Sequence, residues 1–201
     1  AATKALGLDL NTRELSILAR QGSGTACRCV CEGIVEWKDG DTSATSYAET
    51  LYPPEYMDIR DIVVVVDEDM KRVSSTEGHD SARSSIFYTV RLQHIGAKIS
   101  LLKQVLKSKD FSRLGQIVEA EALEFHSILL TSRPTLIAWY PGTLQVMIAV
   151  QEMRREGVEA FFSINTGFNV HVLTKPEYAA QVDDRLKSLS LVKKTIQARV
   201  G

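Results

Sequence analysis

The chain has 201 residues, 44% hydrophobic and 24% charged, with a formal net charge of -1. That is enough chain to bury a core in one or two domains, and the scattered, balanced charges argue against nucleic acid or an anionic membrane as partner. The longest apolar run, Ile62 to Val66, is far short of the roughly 20 residues that span a bilayer, and no charged-then-apolar leader opens the chain.

Ala1 to Leu6 reads as the second half of a helix with Gly7 as its stop, as if the chain were cut inside that helix. Asp9 to Thr12 supplies capping residues for a helix over Thr12 to Arg20, with Leu15, Leu18 and Ala19 on its apolar face. Gln21 to Thr25 is a loop of small residues, and Ala26 to Glu32 is expected to restart a helix. Ile34 to Trp37 reads as a strand, Asp39-Gly40 as a turn, and Tyr47 to Tyr52 as a second strand before Pro53-Pro54 breaks the chain. The β-branched run Ile62 to Asp67 has the pattern of a strand buried on both faces.

Ser74 to Gly78 is a hydroxyl-rich loop. Helical periodicity follows over Glu77 to Lys107, Phe111 to Leu130 and Leu144 to Glu156, the last stopped by Gly157. Ala160 to Ile164 and Asn169 to Leu173 read as strands joined by a turn at Thr166-Gly167-Phe168. Pro176 to Ser188 is a helix with Pro in its first turn, and Val192 to Val200 a closing strand. From Ile62 the order strand, helices, strand, strand, helix, strand is a split βαβ pattern. The expected class is therefore α+β, a ferredoxin-like layer with helices on one face of an antiparallel sheet. The break after Tyr52 separates a first domain, 1–58, from a second, 59–201.

Gly22-Ser23-Gly24-Thr25-Ala26-Cys27-Arg28 is the stretch richest in chemistry. Glycines let a ligand approach the backbone, hydroxyls donate to anionic oxygen, and free N–H groups at a helix start add to the attraction. Arg28, one turn on, can fork onto a carboxylate or phosphate. The same residues also read as a helix cap followed by a solvated Arg, and pattern alone leaves both readings open. Ser74-Ser75-Thr76 poses the same choice between a phosphate contact and a cap.

Cys27, Cys29 and Cys31 alternate, but no second cysteine pair exists to complete a metal site. Small buried thiols in a reducing, cytoplasmic setting are the expectation, with no metal. The histidines, His79, His94, His126 and His171, lack metalloenzyme spacing. His126, beside Phe125, reads as a satisfied core residue, and Trp37 and Trp139 as packing residues. Tyr47, Tyr52 and Tyr56 are not interleaved with basic residues as a nucleic-acid platform requires.

Leu15 to Arg28, followed by Gly33-Ile34-Val35-Glu36-Trp37, closely resembles the diphosphomevalonate decarboxylases, whose motif reads ARxGSGSACRS, then GG, then a V-E-W strand. The similarity continues at Val73 to Gly78 (the family's SST-x-GM), at Lys109-Asp110-Phe111, at Phe125-His126, and at Ser163 to Asn169 (the family's TFDAGPN). It covers essentially the whole chain. The resemblance implies the GHMP-kinase fold: part of a ribosomal-S5-like domain, then a ferredoxin-like C-terminal domain. It places the nucleotide loop GLASSAAG and a lysine that helps catalysis upstream of Ala1, so an upstream N-terminal segment of the same protein is an expected partner, as is a second copy in a homodimer. It also implies that Ser23, Gly24 and Thr25 contact substrate phosphate and carboxylate, that Arg28 holds carboxylate and phosphoryl oxygens, and that Ser75, with Thr76 beside it, binds the 5-phosphoryl group.

Asn165 stands where the family carries its catalytic aspartate. An amide has no useful proton affinity, so it cannot serve as a general base, though it can donate to an oxyanion. Thr166 and Phe168 depart from the family pattern too. The leading expectation is a decarboxylase that takes mevalonate 3,5-bisphosphate to isopentenyl phosphate without ATP or any cofactor, the 3-phosphate leaving with CO₂. The alternatives are an ATP- and Mg-dependent decarboxylase of diphosphomevalonate or phosphomevalonate, a mevalonate 3-kinase, or a non-catalytic homologue.

Overall fold

The structure, a computed structural model, describes residues 2–68 and 75–199, without the side chains of residues 2, 75–77 and 79. Within them the chain forms two units, the first ending at Asp58 and the second running Ile59–Arg199. No described helix is long and apolar enough to cross a membrane.

In the first unit a short helix, α1 (Ala2–Ala5), precedes α2 (Thr12–Gly22). The α2 start is a capping box: the Asn11 side chain accepts from the Glu14 amide at 3.0 Å, and the Glu14 carboxylate accepts from the Asn11 amide at 2.9 Å. Strands β1 (Ile34–Trp37) and β2 (Ala48–Tyr52) form an antiparallel pair. The helix expected over Ala26 to Glu32 does not form; a single 3₁₀ turn, Gly24–Cys27, takes its place. The cause is Ser16, fully buried in α2. Its hydroxyl donates to the Cys27 carbonyl at 3.0 Å and accepts from the Ala48 amide at 2.8 Å. The carbonyl that an α-helix would offer to Cys31 is thus engaged, and the Cys31 amide turns to Arg28 instead.

The second unit contains β3 (Arg60–Val65), α3 (Ser75–Ala82), α4 (Tyr88–Ser108), α5 (Phe111–Thr131), α6 (Pro141–Arg155), β4 (Ala160–Ser163), β5 (Val170–Thr174), α7 (Ala179–Lys187) and β6 (Lys194–Arg199). The sheet order is β4-β5-β3-β6 and every pairing is antiparallel. That is the split βαβ layer expected. Ile62 and Val64 point the same way as Val170, Val172 and Phe162, and they pack on Val146, Val150 and Met153 of α6 and Val182 and Leu186 of α7. All but Met153, at 1%, are fully buried, each contributing roughly 1.5–3 kcal/mol.

Three expectations need correcting. The run from Ile62 is buried on both faces only toward its end, where Val65 is 7% exposed; Val63, on the same face, is half-buried and pairs with His171 and the exposed Ile196. The helix expected through Glu77 to Lys107 breaks after Ala82. Ser84 donates to the Ser81 carbonyl, while Ser85 accepts from the Phe87 amide at 3.1 Å, so hydroxyls replace the helical ladder there. The backbone from Ser75 to Gly78 is helical rather than a loop, whereas Ser74 lies outside the described residues.

Asp183, 3% exposed in α7, locks the last strand in place by accepting from Thr195 and Gln197 of β6 and from Lys187. Burial opposes its ionisation, but the bonds from Lys187, Thr195 and Gln197 outweigh that and hold the carboxyl below its ordinary 3.8. A depressed folded pKa means stability fully present above the unfolded value and lost as pH falls through the folded one. Asp183→Ala is therefore expected to cost about 3 kcal/mol at neutral pH. Thermal melts across pH 2 to 7 should show the gap to the native protein closing at the acid end.

Candidate functional site

In the first unit, Ser23, Gly24, Thr25 and Arg28 are all exposed. The loop that carries them is firmly seated. Ser16 holds the Cys27 carbonyl, the Cys27 thiol donates to the Gly24 carbonyl at 3.0 Å, and a Cβ on Gly24 would meet the Trp37 ring at 3.3 Å. Trp37 is itself fixed by its indole N–H, which donates to Ser46 at 3.0 Å. The Ser23 and Thr25 hydroxyls lie 3.2 Å apart. Side chains three apart eclipse in a 3₁₀ turn, which puts Thr25 and Arg28 on one side. The first N–H groups of such a turn have no partner within it. Arg28 has no ion pair or hydrogen-bond partner for its guanidinium among the described residues, in contrast to Arg20, which donates to Ser43 and Ser46. Two hydroxyls, open amides and an unpaired guanidinium form a surface suited to a multiply charged anion. The helix start that both the anion and the cap reading of this stretch were expected to use is replaced by the 3₁₀ turn.

In the second unit Asn165 is exposed, and its carboxamide has no partner among the described residues. The backbone around it is pinned. Its carbonyl accepts from His126 Nε2 at 2.9 Å, Thr143 donates to the Phe168 carbonyl at 2.6 Å, and Asn169 accepts from the amides of Val66 and Asp67 at 2.9 and 3.3 Å. Phe168 stacks on Tyr140 with ring centroids 4.5 Å apart. His126 is the satisfied core residue expected, and burial pushes its imidazole toward the neutral form against the bond to Asn165.

The side chains of Ser75 and Thr76 lie outside the described residues; their backbone opens α3. Cys27 is buried, Cys31 half-buried and Cys29 exposed, so the buried-thiol expectation fails at Cys29. Burial, then Cys27 and Glu49, push the Cys31 thiol up, away from a ligating or nucleophilic thiolate. No cluster of three or more His, Cys, Asp or Glu able to hold a metal occurs among the described residues. A cavity of about 360 Å³, lined by Phe87, Val90, Arg91, His94, Glu124 and Ser127, contains none of the expected residues, and its Arg91 and Glu124 bond each other at 3.1 Å. The supporting residues Ser16, Thr143 and Asn169 were not legible as such, since each acts on backbone far away in the chain.

Residues 61–200 match the mevalonate 5-diphosphate decarboxylase C-terminal domain, and residues 1–48 the diphosphomevalonate decarboxylase-like N-terminal domain. Among solved structures, MDDEF in complex with MVAPP, AMPPCP and magnesium is similar at a TM-score of 0.92 and 33% identity, over 99% of this chain and 62% of that one. The mevalonate diphosphate decarboxylase from Enterococcus faecalis gives 0.89 and 32%, over 99% of this chain and 61% of that one. The phosphomevalonate decarboxylase of Haloferax volcanii is 27% identical over 186 residues, 92% of this chain and 56% of that protein. The chain spans about half the length of these curated relatives. With a GHMP-kinase fold and a family match over most of its length, the chain belongs to the mevalonate 5-diphosphate decarboxylase family.

Proposed function

We propose that the full-length protein decarboxylates a phosphorylated mevalonate, with ATP and magnesium supplying the phosphoryl group that leaves with CO₂. Support comes from the family, from relatives named for phosphomevalonate and diphosphomevalonate, and from a neighbour held with MVAPP, AMPPCP and magnesium. The observation that carries the reading is the exposed Ser23, Thr25 and Arg28 cluster, seated by buried contacts yet unpaired at Arg28. These relatives favour nucleotide use over the ATP-independent reaction that Asn165 alone suggests. Nucleotide and magnesium binding is assigned to the part of the relatives that this chain does not span, where the family resemblance places the nucleotide loop.

In this reading the γ-phosphoryl group passes to the 3-oxygen of the substrate. The C3–O bond then breaks with its electron pair leaving on phosphate. The C1–C2 pair becomes the C2–C3 double bond, and the carboxylate departs as CO₂. Ser23, Thr25 and Arg28 bind carboxylate and phosphoryl oxygens, and Arg28 stabilises the charge that grows on the leaving phosphate. Ser75 and Thr76 remain assigned to the 5-phosphoryl group. Asn165 donates to the 3-oxygen and takes no proton. A loose phosphoryl-transfer transition state tolerates that, because the attacking hydroxyl keeps its proton until late and then yields it to a phosphoryl oxygen.

The exposed, unpartnered Asn165 carboxamide specifically favours a second reading, ATP-independent loss of CO₂ and phosphate from mevalonate 3,5-bisphosphate. One assay separates them. Mevalonate 5-phosphate or 5-diphosphate with Mg-ATP should release CO₂ and ADP in equal amounts from the full-length chain. CO₂ from the 3,5-bisphosphate without nucleotide, with none from the 5-phosphate or 5-diphosphate and Mg-ATP, transfers the assignment to the second reading, and no CO₂ from any of the three removes both. A homodimer belongs to the same proposal and is read by light scattering.

A further inference from the structure

His126 Nε2 lies 2.9 Å from the Asn165 carbonyl oxygen. A carbonyl only accepts, so the imidazole is the donor. This carbonyl belongs to the peptide plane that follows the Asn165 Cα. Peptide groups are planar, so holding it sets the orientation of that plane against Asn165 and restrains the direction of the Cα–Cβ bond. The imidazole is itself immobile: it is 1% exposed, meets the Phe125 ring edge-on at 5.4 Å, and packs against Trp139 at 5.2 Å. Thr143 and Asn169 hold the far end of the same loop, at Phe168 and at the end of β3. No other described side chain bonds the Asn165 carbonyl.

We infer that His126 is a positioning residue, which aims the Asn165 carboxamide by donating to the carbonyl of that same residue and never touches substrate. The inference rests on the proposed role of Asn165. Burial favours the neutral ring, so the tautomer must carry its proton on Nε2.

The test compares His126→Gln with His126→Met in the full-length chain. The two replacements have nearly the same shape, and only Gln keeps an N–H at comparable reach. With the substrate and nucleotide that turn over best, His126→Met should lose about tenfold to a hundredfold in kcat with KM within about threefold, as expected for a misaimed group. His126→Gln should stay within about threefold of native kcat. A folded His126→Met with native kcat overturns the inference. Ring nitrogen NMR of the native protein gives an independent check that needs no variant. The protonated nitrogen should be Nε2, and a neutral ring protonated on Nδ1 overturns the inference even where His126→Met does not fold. Asn165→Ala separates the two levels of proposal. If it leaves turnover intact, the role of Asn165 itself fails; if it abolishes turnover while His126→Met does not, the positioning inference alone fails.

Discussion

Replacing Arg28 with alanine should lower kcat/KM for decarboxylation by about a thousandfold, roughly 4 kcal/mol, with no change in melting temperature. The asymmetry follows from where Arg28 sits. It is exposed and its guanidinium has no partner among the described residues, so the fold loses nothing when it is truncated. An isolated cation on a seated loop is energetically idle until an anion arrives. In the proposed reaction the leaving phosphate gains charge as the C3–O bond stretches, and a charge-assisted, forked contact from Arg28 would strengthen at that moment. Arg28→Lys keeps the charge but not the fork, and should recover part of the loss. Arg20→Ala is the contrasting case: that guanidinium bonds Ser43 and Ser46, so its loss should appear in the melting temperature. CO₂ release and thermal melts on the full-length variants measure both. Near-native turnover in Arg28→Ala would take the residue out of the site.

Local chemistry was the part of this fold most legible in the sequence. Capping residues before α2, the Pro176 turn before α7 and the order of strands and helices after Tyr52 all act within a few residues, and the structure follows them. The glycine-flanked hydroxyls beside an arginine stood out locally as well, although their pattern alone left an anion site and a helix cap both open. What escaped was set by contacts distant in sequence. Ala26 to Glu32 carries no breaker; the helix is lost because Ser16 claims the Cys27 carbonyl from 11 residues away. Val63 sits in an unbroken apolar run yet faces His171 and Ile196, since pairing register and not composition decides which side of a strand is covered. Ser84 and Ser85 end a helix through hydroxyl bonds that helical periodicity does not encode.

The site shows the same division. Asn165 stood out by differing from the family's aspartate, but what holds it did not. His126 lies 39 residues earlier and reaches a main-chain oxygen, which any residue type supplies. The sequence therefore pointed to the group proposed to meet the substrate and stayed silent about its support. Trp37 is similar: it was read as packing, and what it packs against is Gly24, the centre of the hydroxyl pair.

Gly33→Ala should be the most damaging small substitution in the first unit, costing about 2–5 kcal/mol. Gly33 has φ +78, where a side chain adds strain of about 1–2 kcal/mol. A Cβ there would lie 2.2 Å from the Tyr52 carbonyl oxygen, 2.8 Å from Pro53 C and 3.0 Å from Pro54 N. These are main-chain atoms at the end of β2, next to an irregularity in its pairing with β1, and no rotamer change can clear them. Separating the two strands would disturb β1, whose Trp37 braces Gly24, so activity should fall together with stability. Gly7→Ala is the matched control: φ is +70 there, but nothing lies within 4 Å of the added methyl, so only the strain of about 1–2 kcal/mol is expected. Urea midpoints for the two variants isolate the clash from the strain. If Gly33→Ala is no less stable than Gly7→Ala, the close approach of Gly33 to Tyr52 and Pro53 is wrong, and with it the bracing of the Ser23 to Arg28 loop through β1.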